Sequence, residues 1–155
     1  MKIGLGADHN AFDLKESIKA HIQDLGHEVS DYGCYSCNEV DYPGVAFEVC
    51  TDINKQNIDR GILICGTGIG MAISADKVPG IRAALCHDTY SAERAQKSNN
   101  AQVLTMGAKV IGVEIAKQVV KTYLESTFTG GNSARKVQQI IDKEKESLKA
   151  GGMQE

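Results

Sequence analysis

Five short apolar runs, each followed by a segment with helical period, constrain this chain more than any other feature. Residues 1–8, 27–32, 58–64, 81–86 and 102–106 read as strands. Between the first two, Phe12, Leu14, Ile18, Ile22 and Leu25 recur at helical spacing over 11–25, and Gly26 ends the segment. Tyr42-Pro43-Gly44 opens the next helix, which carries Val45, Ala46, Val49 and Ile53. A third helix over 71–77 stops at Pro79-Gly80, a fourth over 88–97 takes Asp88 as its N-cap, and a fifth covers 113–124. Such alternation predicts an α/β three-layer sandwich on a five-stranded parallel sheet, with right-handed crossovers. After Gly130-Gly131 a sixth, charged helix over 132–149 sets Val137, Ile140, Ile141 and Leu148 on one stripe. It has no strand of its own to cover, which suggests a partner subunit. Residues 1–149 then form a single domain, and 150–155 are expected to fray.

In open parallel sheets ligands bind beyond the carboxyl ends of the strands. Asp8-His9, Cys65-Gly66-Thr67 and His87-Asp88 all fall at such ends. The central one is the most informative. Ile62-Leu63-Ile64 reads as a strand covered on both faces, and it breaks into Cys65-Gly66-Thr67-Gly68-Ile69-Gly70 before a helix resumes. Strand, glycine-rich turn and helix N-terminus together make an anion or oxyanion site, because glycines let backbone N–H groups face a ligand. A thiol at that position suits proton transfer or nucleophilic work. The competing reading is a tight turn whose glycines serve packing around an inert buried thiol. No Gly-Lys-Ser/Thr follows, so the loop is not a nucleotide P-loop. A dinucleotide fingerprint belongs at the first strand, whereas this loop follows the third.

With 155 residues, 42% of them hydrophobic, the chain has the makings of one domain with a sizeable core. A net charge of −3 offers nothing to nucleic acid or an anionic membrane. No apolar run approaches the ~20 residues of a membrane span. The first strand begins at once, without an export signal, so the expected location is the cytoplasm. The cysteines at 34, 37, 50, 65 and 86 are odd in number and read as free thiols. Cys34-Tyr35-Ser36-Cys37 has the spacing of a redox pair or half a zinc site, but no second pair of ligands accompanies it and it follows the second strand; it reads as loop.

Several motifs stand in one order: Gly6-Ala7-Asp8-His9, Asp41-Tyr42-Pro43, Ile64-Cys65-Gly66-Thr67-Gly68-Ile69-Gly70, Gly80-Ile81-Arg82-Ala83, Leu104-Thr105-Met106-Gly107, and Gly130-Gly131 before a basic helix. Over about residues 2–145 the chain resembles the type B ribose-5-phosphate isomerases, a family that includes galactose-6-phosphate and allose-6-phosphate isomerases. The resemblance implies a flavodoxin- or Rossmann-like sheet, no metal or other cofactor, and a homodimer or dimer of dimers with shared active sites. It also implies interconversion of D-ribose 5-phosphate and D-ribulose 5-phosphate through an enediolate, a step of the pentose phosphate pathway. By position, Cys65 matches the proton-transferring base and Thr67 its helper. The backbone of Gly66, Gly68, Ile69 and Gly70 matches the oxyanion hole. Asp8 and Tyr42 match sugar contacts, His9 a phosphate contact, and Asn99 a further sugar contact.

The chain departs from that pattern twice. Where the family carries a ring-opening histidine, Ser98 precedes Asn99, and a hydroxyl is a poor acid or base near neutral pH. Asp8 and Thr67 are then the nearest candidates for that task. After Gly130-Gly131, Asn132-Ser133 precede Arg135-Lys136, so one expected phosphate arginine is missing. Lys136 stands where an arginine is typical, and Lys109 matches a basic position that reaches in from the partner subunit. Lysine binds phosphate as a point charge, without arginine's bidentate fork. His21 and His27 read as structural, and the run Lys143-Glu144-Lys145-Glu146 as a solvated helix face.

Overall fold

The computed structural model describes residues 1–152. Its elements run β1 (Lys2–Ala7), α1 (Phe12–Asp24), β2 (Glu28–Asp31), α2 (Tyr42–Asn54), β3 (Arg60–Cys65), α3 (Ile69–Asp76), β4 (Ala83–Leu85), α4 (Thr89–Lys97), β5 (Val103–Gly107), α5 (Val113–Glu125) and α6 (Asn132–Gly152). All five strands pair in parallel, in the order β2-β1-β3-β5-β4. The three-layer α/β fold is thus the one expected. β5 lies inside β4, and nothing in the hydrophobic period foretold that exchange.

The layering follows from side-chain alternation on the central strand. Ile62 and Ile64 point into the cluster built with Ile18 and Ile22 of α1 and Ala116, Val119 and Val120 of α5. Leu63 and Cys65 point the other way, into Val45, Val49 and Ile53 of α2 and Met71 and Ala75 of α3. A strand packed on both faces needs apolar residues at every position, which is why β3 reads as one run. Removing one such side chain, as in Ile64→Ala, costs about 2–5 kcal/mol.

The chain winds outward from β1 to β2, returns, and continues on the other side through β3. The gap between the carboxyl ends of β1 and β3 is therefore the topological switch point. At the opposite end of the sheet the polar groups are committed to structure. Arg60 donates to the carbonyls of Tyr123 and Ser126 at 2.8 and 2.9 Å, and Arg82 to those of Asn99 and Asn100 at 3.1 and 2.9 Å. Helix α6 starts beyond that end and runs to Gly152, past the expected stop at Lys149; residues 153–155 of the expected tail lie outside those described. It buries Val137 alone, leaving Ile140 and Leu148 about half exposed. Within the charge run, the Gly80 amide donates to Glu144 at 2.9 Å, so that part of the run ties α6 to the turn before β4 rather than facing only solvent.

Candidate active site

A cleft of about 410 Å³ opens at the switch point, lined by Asp8, Asn10, Tyr42, Cys65, Gly66, Thr67, Ile69, Gly70, Ile73 and Lys109. A larger hollow of about 550 Å³ between α4 and α5, bordered by Tyr90, Glu93 and Lys121, contains none of the expected site residues. The gathering of Asp8, Tyr42, Cys65, Thr67 and Lys109 in one cleft is what gives this region its chemistry.

Cys65 closes β3 and is almost fully buried. The Gly68 amide donates to its sulfur at 3.1 Å. That geometry depends on Gly68, whose φ of +80° lies in the left-handed region. A Cβ there would stand 2.6 Å from the Met106 carbonyl carbon. Because Gly68 caps the helix, α3 begins at Ile69, two residues earlier than its apolar period indicated. The Ile69 amide donates to Thr67 Oγ1 at 3.2 Å. Two amides of the expected oxyanion stretch are thus turned on the Cys65 and Thr67 side chains. Those of Gly70 and Met71 in the first turn of α3 have no intrahelical acceptor and carry the positive end of the dipole. Tyr42 packs its ring directly on Gly70, where any Cβ would collide with it.

The loop is tied sideways to the end of β5. Ala108 N–H donates to the Cys65 carbonyl at 2.8 Å, Lys109 N–H to the Gly66 carbonyl at 3.0 Å, and Thr105 Oγ1 to the Gly68 carbonyl at 3.0 Å. Lys109 stands over Gly66 of its own chain, its aliphatic stem 3.7 Å from where a Gly66 Cβ would be. Within one chain it thus lines the cleft of that same chain, where the resemblance implied a reach from a partner. Short backbone bonds after β5 fold it back onto its own cleft.

Asp8, 4% exposed, follows β1. Its Oδ1 accepts from the Asn10 amide at 3.0 Å, which caps a short 3-10 turn over His9–Ala11, and its Oδ2 accepts from Asn10 Nδ2 at 3.3 Å. Asn10 was not foreseen as a site residue; the one sequence signal for it is the Asp-x-Asn spacing of such a cap. His9 is not among the cleft residues. Its Nδ1 accepts from Val40 N–H at 3.2 Å and so anchors the loop after β2. In that loop Cys34 is buried, donating its thiol to the Asp8 carbonyl at 3.0 Å, while Cys37 is exposed; all five cysteines are free. His87 accepts from Gly107 N–H through Nε2 at 2.9 Å, a structural role. His21 meets the Lys117 carbonyl, and His27 the amino terminus.

His9, Gly68, Asn99, Arg135 and Lys136 are the expected site residues that do not line the cleft of one chain. Asn99 sits with Arg82 at the amino-terminal end of the sheet, and Arg135 and Lys136 are exposed in the first turns of α6. Among the described residues, no three His, Cys, Asp or Glu side chains gather as a metal site. No helix of the described chain is long and apolar enough to cross a membrane.

Comparison with known proteins bears on the chain as a whole. A family model described as Ribose/Galactose Isomerase matches residues 3–140. A D-erythrulose-4-phosphate isomerase from Pectobacterium atrosepticum is 52% identical over 90% of this chain and 93% of its own. A ribose-5-P isomerase B from Listeria innocua is 48% identical over 88% and 93%. The solved structure of Clostridium thermocellum ribose-5-phosphate isomerase B superposes with a TM-score of 0.92 at 41% identity, covering 95% of this chain and 99% of that one.

Proposed function

This chain belongs to the ribose/galactose isomerase family of sugar-phosphate isomerases, and from that premise we propose that it interconverts an aldose phosphate and its ketose with Cys65 as the base. The observation that carries the proposal is the Gly68 amide on the sulfur of Cys65, which lines the cleft. Cys65, as thiolate, takes the proton from C2 of the open-chain aldose. The electron pair forms the C1–C2 double bond, and negative charge passes to O1, which the first-turn amides of α3 face and which is then protonated. The hydroxyl on C2 gives up its proton to become the ketone, and the Cys65 thiol returns its proton to C1. Thr67 and Asp8 handle the hydroxyl protons, Tyr42 walls the sugar, and Lys109 meets the phosphate.

The substrate pair in the first reading is D-ribose 5-phosphate and D-ribulose 5-phosphate. One observation favours a second, a four-carbon pair. Ser98 stands beside Asn99 where the resembled family carries a ring-opening histidine. Ribose 5-phosphate closes a ring through its C4 hydroxyl and must be opened. In erythrose 4-phosphate that oxygen carries the phosphate, so no such ring forms and no opening acid is needed. The relative from Pectobacterium atrosepticum is named for a sugar of that length. Both pairs, supplied to wild type and Cys65→Ala, test the proposal. Loss of about 10²–10⁴-fold in kcat is expected in the variant, and near-normal turnover would remove Cys65 from the role. The pair with the higher kcat/KM in wild type decides between the readings.

The working unit in this reading is a homodimer or pair of dimers. Asn99, Arg135 and Lys136 reach a cleft when a second copy brings its amino-terminal edge to it, and exposed Ile69 and Ile73 beside the cleft give that copy an apolar seat. A monomer retaining full activity at high dilution would rule this out.

A further inference from the structure

A second hollow, about 340 Å³, adjoins the catalytic cleft and is bordered by Asp13, Leu14, Ser17, Ile111 and Val113. Asn10 lines both spaces. It therefore stands where the two spaces meet, and hydrogen bonds orient it. Its own backbone N–H and its Nδ2 both donate to the buried Asp8 carboxylate, at 3.0 and 3.3 Å. Its amide nitrogen also stands 3.9 Å from where a Cβ on Gly66 would be, with the Lys109 stem 3.7 Å from the same point on the other flank. Asn10 and Lys109 thus bracket the floor of the cleft, one neutral and pinned, the other cationic and extended.

We propose that Asn10 is a specificity-determining residue that sets how long a sugar phosphate this cleft accepts. With the amide in place, the carbons between the Cys65 and Lys109 anchors have only the cleft to lie in. With it removed, the cleft and the second hollow merge, and a longer polyol chain has room. The polar lining of that hollow, Asp13 and Ser17, offers hydroxyl partners to such a chain. This rests on the reading of the cleft as a sugar-phosphate site and names the length of its ligand.

The test measures binding, so that it does not depend on turnover. The probes are erythritol 4-phosphate, ribitol 5-phosphate and galactitol 6-phosphate, acyclic alcohols with no carbonyl to isomerise, titrated calorimetrically into the full chain. Wild type is expected to bind the four- or five-carbon probe at least tenfold more tightly than the six-carbon one. Asn10→Ala should shrink that ratio by tenfold or more, while Asn10→Gln, which keeps the amide on a longer stem, should preserve or widen it. If both variants keep the wild-type ratio, the specificity role is overturned although the site stands. If wild type binds none of the three, the isomerase reading falls and the inference with it. Asn10 is exposed, so the alanine variant is not at risk in the core; should it fail to fold, Asn10→Ser removes the same amide reach.

Discussion

Adjacent strands β1 and β2 each deliver an aspartate at the carboxyl end, and the two meet opposite fates. Asp31, the last residue of β2, receives Lys15 Nζ on both oxygens at 2.9 and 2.8 Å, Lys19 at 3.1 Å and the Gly33 amide at 2.8 Å. Lys15 is itself fully buried and spends a further bond on the Cys34 carbonyl at 2.6 Å. Asp8, one residue past β1, has no cation on it in the described chain and is held by two donors of neutral Asn10. A partly buried carboxylate with its charge matched is a fastener. One that is oriented but electrically unmatched, beside a thiol and a threonine, retains the capacity to accept a proton or a hydroxyl from a ligand. Residue type and position in the fold are alike; the partners decide the role.

The largest effect that could break this contrast is on catalysis. Asn at position 8 keeps an oxygen to cap the His9–Ala11 turn but cannot take a proton. Asp8→Asn should therefore lower kcat by about 10²–10⁴-fold with little change in thermal midpoint. If Asp8 also opens the ring, the loss on a cyclic aldose should exceed that on the ketose, whereas equal losses leave it with the hydroxyl protons of the enediolate step alone. A second experiment approaches from the other aspartate. Lys15→Met leaves Asp31 short of its main partner, and urea unfolding should register about 3–5 kcal/mol of lost stability while kcat/KM of the folded enzyme holds near wild type. A stable but inactive variant would erase the distinction.

The smallest effect concerns acid. Burial pushes the Asp31 carboxyl up, but the hydrogen bonds from Lys15, Gly33 and Lys19 outweigh it and hold the group below its ordinary value. A carboxyl depressed in the folded state contributes stability above its unfolded value, about 3.9, and loses it as pH falls through the folded value. The stability gap between wild type and Asp31→Asn should therefore be constant above about pH 5 and narrow below about pH 4. A gap that widens in acid would contradict the pairing.

Much of this was legible in the residues because strand ends are. Asp8, Cys65 and Thr67 follow directly from where apolar runs stop, and in such a sheet those points converge. What was hidden depends on contacts that no period encodes. The start of α3 moved because a left-handed glycine caps it. The sheet order turned on which way a crossover travels. Lys109 belongs to its own cleft because two amides after β5 bond back to the Gly loop, and His9 is drawn off by an amide forty residues from the chain start. Asn10 looked like part of a turn, and its second bond to Asp8 exists only in three dimensions.

Those ties between the Gly loop and the end of β5 bear on how a ligand arrives. Ordering a backbone residue costs about 1–2 kcal/mol, and many active-site loops meet that cost at the moment of binding. Here three bonds from Thr105, Ala108 and Lys109 hold residues 65–68 in place during folding. In the proposed reaction the arrangement of Cys65 and Gly68 is then set before a ligand arrives, so that its ordering is not charged to binding.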